Sequence, residues 1–390
     1  MGRLDEASGA RLHPAPRAAY SRSGLLGFND AYLNRMKDLN RHLTAAWQGR
    51  ISGCQLGKAV EVFSMRQGQA ALSDHLRDAG ALPLRDYVPP PAGEVPEGMI
   101  AGCCKGQFSA SAADDDINYS VLALIALENH GAELGTEDIG RLWLNHLPVG
   151  MTFTAERAAY RTLLNRAAEW FPQGAKPGFD VTDCADNECN DWIGAQIRAD
   201  VYGWVTPGRP PLGAELARRD AALSHRGDGI YGAMFVAATG SACWDAGSLS
   251  DAVDAGAQQI PTDSGAAAAI ELARQNLGTG GDAAIRAYYA ELSPVHVLNN
   301  LALVVWALLS FEDDYAAAIG EVVAAGLDTD CNAATVGGLW GLFHGEIPGQ
   351  WTNPWRGEVG VSLAGHDRIA LDALVQRTVA VTELLAGQSS

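Results

Sequence analysis

Apolar residues recur at the three- and four-residue spacing of helices along almost the whole chain, and no convincing alternating β-branched run bounded by turns interrupts them. Helices of this kind bury one stripe each, so they must pack on one another. The patterns cover about 30–50, 117–130, 136–147, 154–170, 191–202, 211–223 and 230–244, then 249–259, 265–276, 281–292, 297–310, 314–325, 331–344 and 366–386. In the second of these, Ile117, Val121, Leu124 and Ile125 fall at i, i+4, i+7 and i+8, and Gly131 is placed to end the helix. No fixed-period repeat appears. The Pro/Gly loops at 85–113 and 172–187 are too short and too embedded for domain linkers. The expectation is one compact all-α, multi-helix domain over 29–386, with an irregular N-terminal arm at 1–28 and a short tail at 387–390.

Two aspartate clusters stand at the starts of such helices. One is Asp114-Asp115-Asp116 ahead of Ile117-Asn118-Tyr119, and the other is Asp328-Thr329-Asp330 ahead of Cys331-Asn332. Aspartate is a preferred N-cap and suits a first helical turn, which is the plain explanation of either cluster alone. If the two helix starts meet, however, five carboxylates converge, and such a set needs cations. Oxygen ligands select hard ions such as Mg²⁺, Mn²⁺ or Ca²⁺ over Zn²⁺. Asp328 and Asp330 cannot share a face of a regular helix, but at a loop-to-helix junction both can point at one ion. The three consecutive aspartates converge only in a bent loop, which the small residues at 109–113 permit. Asp114, Asp115, Asp116, Asp328 and Asp330 are therefore the candidate metal ligands, for two ions that could polarise a water or steady an oxyanion.

With 28 Lys+Arg against 46 Asp+Glu, the chain has a net charge of −18, which argues against nucleic acid or an anionic membrane as partner. No apolar run approaches the length of a membrane span. The seven cysteines form no zinc-type pair of Cys-x-x-Cys motifs, and the first residues lack an apolar signal region, so a reduced, cytoplasmic protein is expected. Cys331, beside the second aspartate pair, has no identified histidine partner for thiol catalysis.

Small residues mark further points of interest. Gly53-Cys54-Gln55-Leu56-Gly57 leads to Lys58 and Glu61 and permits close helix or ligand approach. Ala333, Ala334, Gly338 and Gly341 are unusual inside a helix and make sense where a backbone or ligand comes very close. Gly194 and Ala195 stand near a helix start whose N–H groups would suit a diphosphate. His225, before Gly227-Asp228-Gly229, could meet a phosphate or ribose, or be a structural histidine at a helix end. The acidic run Asp183, Asp186, Glu188, Asp191 reads as a solvated loop. No Walker or Rossmann fingerprint occurs.

At these residues the chain resembles the ADP-ribosylglycohydrolase family, in particular a bacterial subgroup of it. Four stretches carry the likeness: 53–61, 114–119, 192–200 and 328–335. Two more, Thr152-Phe153-Thr154-Ala155-Glu156-Arg157 and Ser293-Pro294-Val295-His296 with Asn299-Asn300, support it. The resemblance implies an all-α fold with a binuclear Mg²⁺ or Mn²⁺ site at the bottom of a cleft. It implies hydrolysis at ribose C1″ of an ADP-ribosyl conjugate, whether the acceptor is a protein side chain or a small NAD-derived molecule. By the same resemblance Asp115 and Asp116 carry catalysis, and Glu61, Asn118, Gly194, Ala195 and His225 face the substrate. Where the family's best-known motifs read Thr-Asp-Asp-Thr and Gly-Asp-Ala-Leu-Gly, this chain has Asp114-Asp115-Asp116-Ile117 and Gly53-Cys54-Gln55-Leu56-Gly57, which suggests another specificity. A metal-dependent phosphoesterase acting on a nucleotide, or a non-catalytic ADP-ribose binder, are the alternatives.

Overall fold

The computed structural model describes residues 30–166 and 177–388, with side chains from Met36 onward. The expected N-terminal arm, the stretch 167–176 and the last two residues lie outside that description. Inter-residue contacts separate Met1–Lys37 from Asp38–Ser390, and of the former only the helical start of α1 is described. The first helices are α1 (Asp30–Lys58), α2 (Glu61–Asp78), α3 (Asp115–His130), α4 (Thr136–His146), α5 (Thr154–Asn165) and the short α6 (Asp200–Trp204). There follow α7 (Pro210–Ala221), α8 (Gly227–Ala242), α9 (Leu249–Ala257), α10 (Gly265–Gln275), α11 (Gly281–Tyr288) and α12 (Val297–Ser310). The last are α13 (Tyr315–Ala324), α14 (Thr329–His344), α15 (Gly349–Thr352) and α16 (Leu371–Gly387). The all-α expectation holds.

Helices α3, α8, α12 and α14 are buried over nearly every turn and form the centre. Amphipathic helices such as α4, α9, α10 and α11 cover them with one face each. Helices α1 and α14 approach very closely, and glycine makes it possible. A Cβ on Gly49 would lie 1.9 Å from the Gly337 carbonyl oxygen, one on Gly53 2.0 Å from that of Ala333, and one on Gly341 2.2 Å from that of Ala45. On α1 these positions are spaced by four, so Ala45, Gly49, Gly53 and Gly57 form one stripe that meets α14 running the other way. The end of α1 is thereby laid on the beginning of α14. Thr329 Oγ1 fastens the junction by donating to the Gly57 carbonyl at 2.9 Å.

Three expectations need correction. The glycine-rich stretch 53–58 continues α1, and α2 follows where no helix was expected. The stretch 191–202 is a 3₁₀ turn (Ile193–Arg198) leading into α6, not a single α-helix. Residues 366–370 do not open the last helix. They form β2 (His366–Ala370), which pairs antiparallel with β1 (Glu358–Leu363), Val359 opposite Ile369, through a turn in which Gly365 has φ +81°. The alternation Val359, Val361, Leu363 is the half-buried strand signal, too short to register among helices.

This hairpin braces the loop before α3. The Ser111 N–H donates to the Glu358 carbonyl at 2.9 Å, and the Gly360 N–H donates to Ser111 Oγ at 3.0 Å. Gln55 of α1 holds the same loop by accepting from the Ala112 N–H at 2.8 Å.

Candidate metal centre and cleft

Each aspartate cluster is set by a different local device. Asp114 caps α3, its Oδ1 accepting from the Asp116 N–H at 2.9 Å, and its Oδ2 pairs with Lys58 Nζ. The second cluster is presented by a bent loop in which Gly326 (φ +81°) and Leu327 (φ +63°) are both left-handed. For a leucine this conformation costs roughly 1–2 kcal/mol. Ser64 Oγ holds it by donating to the Leu327 carbonyl at 3.1 Å. Asn300 Oδ1 accepts from Asn332 Nδ2 at 2.7 Å and from the Asp328 N–H at 3.4 Å, which fixes the start of α14. Asp328 is the N-cap residue there, yet its side chain makes no capping bond. Capping thus accounts for Asp114 but not for Asp328.

Because α1 lays its end on the start of α14, the clusters meet. Ligand atoms of Cys54, Asp114, Asp116 and Asp330 all lie within 4.8 Å of one another, and so do those of Asp328, Asp330 and Cys331. Asp330 belongs to both groups. All six residues are buried. Asp115 belongs to neither group; it lines an adjoining cleft of about 320 Å³ together with Lys58, Glu61, Asp114, Glu156, Gly194, Asp328 and Cys331. Met65, Met151, Phe153, Ile193 and Val295 supply the apolar part of its wall.

The charges do not balance. Arg50, fully buried, donates to Asp116 Oδ1 at 3.0 Å, Asp200 Oδ2 at 2.8 Å and Ser120 Oγ at 2.7 Å. With Lys58 it is one of two cations bonded to the cluster, while Asp328 and Asp330 form no ion pair among the described residues. Burial would raise the Asp114 carboxyl, but Lys58 and the cap bond hold it down at about 2. Burial, then Asp114, pushes Asp330 up to about 6; burial, then Asp330 and Asp328, pushes Glu61 up to about 11. Burial, then Asp114 and Asp330, pushes Asp115 well above the carboxylate range; burial pushes Asp116 well above it against the opposing Arg50, and burial, then Asp330, does the same to Asp328. Asp116 Oδ2, Asp328 Oδ1 and Asp330 Oδ1 are buried without a hydrogen-bond partner. Buried polar atoms rarely lack partners, and several anionic ones facing each other fit a divalent cation. The residues present therefore suit the metal that the sequence pattern suggests.

The expected substrate-facing residues divide. Glu61 and Gly194 are on the cleft wall. Asn118, Ala195 and His225 are fully buried and do not line the cleft. The Asn118 Oδ1 accepts from the Ser362 N–H at 2.8 Å, tying α3 to β1. A Cβ at Gly194 would lie 2.2 Å from Glu156 Oε1, so the absent side chain makes room for Glu156. Beneath that wall Arg198 donates to Glu156 at 2.7 Å and pairs with Asp220, which accepts from the Tyr202 hydroxyl at 2.6 Å. His225 lies 3.8 Å from Glu156 Oε1, and burial and Arg198 push its pKa well below the usual range, so it is neutral.

Sequence inspection passed over Arg50, Cys54, Lys58 and Glu156 as site residues. A signal existed for the first three: they stand at i, i+4 and i+8, one face of α1, beside the glycine stripe.

The family model for ADP-ribosylglycohydrolase matches residues 35–385. The chain belongs to the ADP-ribosylglycohydrolase family. It is accordingly a glycosidase-type hydrolase of a family that acts on ADP-ribosyl compounds. A solved structure described as an ADP-ribosylglycohydrolase-related protein complex is similar in fold, with a TM-score of 0.56 over 90% of this chain and 99% of that chain at 17% sequence identity. No match is found among curated proteins. No helix among the described residues is long and apolar enough to cross a membrane.

Proposed function

We propose that this ADP-ribosylglycohydrolase is a metal-dependent enzyme that cleaves the bond between ribose C1″ and its acceptor and releases ADP-ribose. The observation that carries this is the set of unpartnered buried carboxylate oxygens on Asp116, Asp328 and Asp330, beside a cleft of about 320 Å³. Asp114, Asp116, Asp328 and Asp330 would hold Mg²⁺ or Mn²⁺, with Asp115 at the cleft side. Bound ions would supply Lewis acidity and neutralise the cluster. Asp115 is the proposed general base, since it reaches the cleft; Asp116 is held by Arg50 and serves as ligand. With the cluster's charge neutralised by bound ions, Asp115 would be ionised and would take a proton from water as the water oxygen bonds to C1″; the acceptor leaves with the bonding electrons and receives that proton from Asp115. Positive charge developing at C1″ is favoured by the acidic wall. Glu61 and Gly194 are assigned to direct contact with the ligand, and Asn118, Ala195 and His225 to supporting it from beneath.

An ADP-ribosylated small molecule suits a cleft of this size as well as a modified side chain does. The test is incubation of the protein, with Mg²⁺ or Mn²⁺ and with EDTA, against ADP-ribosyl-arginine, an ADP-ribosyl-serine peptide, O-acetyl-ADP-ribose and NAD. Metal-dependent release of ADP-ribose, lost in Asp328→Ala/Asp330→Ala, is expected. Inorganic phosphate or AMP as product would make the enzyme a phosphoesterase instead, and ligand-induced stabilisation without turnover would make it a binder.

A further inference from the structure

Building on the metal-dependent hydrolysis proposed above, we propose that Cys54 and Cys331 are metal ligands, one thiol at each ion position, so that the site prefers a soft or borderline divalent ion to Mg²⁺. The two groups of converging ligand atoms share Asp330, and each contains one cysteine: Cys54 with Asp114, Asp116 and Asp330, and Cys331 with Asp328 and Asp330. Counting aspartates alone, as the sequence invites, gives an all-oxygen site; the fold adds a sulfur on either side.

Both cysteines are buried and both lie against carboxylates that keep an unpartnered oxygen: Asp116 Oδ2, Asp328 Oδ1 or Asp330 Oδ1. A cysteine that only fills space has no need of orphaned anions around it. Cys54 is also held in place. It stands one helical turn from Arg50 and from Lys58, which fix Asp116 and Asp114 respectively, so the sulfur and its two neighbouring carboxylates are positioned by one face of α1. Mg²⁺ demands near-octahedral oxygen coordination, whereas Mn²⁺, Fe²⁺, Co²⁺, Zn²⁺ and Cd²⁺ accept sulfur with increasing ease. On coordination each thiol releases its proton to solvent and binds as thiolate.

The experiment titrates the full-length, reduced, metal-free protein with Cd²⁺ as soft probe and Mg²⁺ as hard probe. It follows thiolate-to-Cd²⁺ charge-transfer absorption and binding heat. Saturation of the absorption is expected with two Cd²⁺ per chain. Cys54→Ser and Cys331→Ser should each remove about half of it, and the double variant all of it. Cys184→Ser, a buried cysteine in neither group, should retain it. The preference for Cd²⁺ over Mg²⁺ should fall about tenfold or more per serine, a difference of ~1.4 kcal/mol. Ion binding without the absorption in the unsubstituted protein, or absorption that survives in the double variant, overturns the assignment while leaving metal dependence standing. Failure of the unsubstituted protein to bind any divalent ion overturns both. Absence of the absorption in the unsubstituted protein overturns the assignment whether or not the variants fold, and Cys54→Ala and Cys331→Ala serve where a serine variant does not fold.

Discussion

The two aspartate clusters look alike in the chain and differ in what surrounds them. The first is answered from within: Lys58 and a cap bond hold Asp114, and Arg50 holds Asp116. The second has no such answer: Asp328 and Asp330 form no ion pair among the described residues, and each keeps a buried oxygen without a partner, which in the first cluster is true only of Asp116 Oδ2. A charge that the protein neutralises itself belongs to its stability. A charge left bare in the interior opposes folding and waits for a ligand. The difference makes the first cluster the scaffold of the site and the second its opening for a cation.

Removing the internal counter-charge should have the largest effect. Arg50→Met leaves Asp116 and Asp200 buried without their cation and is expected to lower the unfolding free energy by about 3–5 kcal/mol in a denaturant titration. An unchanged midpoint would mean that the two carboxyls are uncharged in the folded protein and that the first cluster is no more self-sufficient than the second.

Supplying the missing cation should come next. A divalent ion at a hundred times its dissociation constant stabilises a folded protein by about 2.7 kcal/mol. Mn²⁺ should therefore raise the melting temperature by several degrees, EDTA should reverse this, and Asp328→Ala/Asp330→Ala should abolish it. A shift that survives the double substitution would move the ion away from the second cluster.

The sharpest contrast is of sign. Without metal, Asp330→Asn relieves repulsion at the unpaired cluster and is expected to stabilise by about 1–2 kcal/mol, because the charged form is the one that burial and Asp114 disfavour. Asp114→Asn, chemically the same change, should destabilise, because Lys58 loses the partner that holds the Asp114 carboxyl at about 2. Thermal melts of the two variants in EDTA decide this. Shifts in the same direction would dissolve the distinction between the clusters.

Much of this was legible in the chain. The carboxylates, their place at helix starts and the helical fold follow from local pattern, and the glycines at 53, 57 and 341 announced a close approach that α1 and α14 make. Compensation of charge was not legible, because it is tertiary. Arg50 and Asp116 are sixty-six residues apart, and nothing local marks Arg50 as the cation that reaches Asp116. Burial was hidden too. His225 and Asn118 carry the polar groups expected of ligand contacts, but they lie behind the wall, bonded to the scaffold. The hairpin went unseen because three alternating apolar residues are a weak signal beside long helical runs, although it braces the first cluster.

That bracing gives the smallest effect and the finest test. Asn118 joins the helix that bears the first cluster to β1 through one bond, from the Ser362 N–H at 2.8 Å. If its role is to support the scaffold, Asn118→Ala should lower stability by about 1 kcal/mol, the worth of one such bond. The Mn²⁺-induced shift in melting temperature should persist, since the second cluster is untouched. Turnover should fall modestly through kcat, because the start of α3, which bears Asp115, loses a brace, while KM stays near that of the unsubstituted enzyme. A KM that rises with stability unchanged would instead place the Asn118 side chain against the substrate, and the wall described here would have to open to let it through.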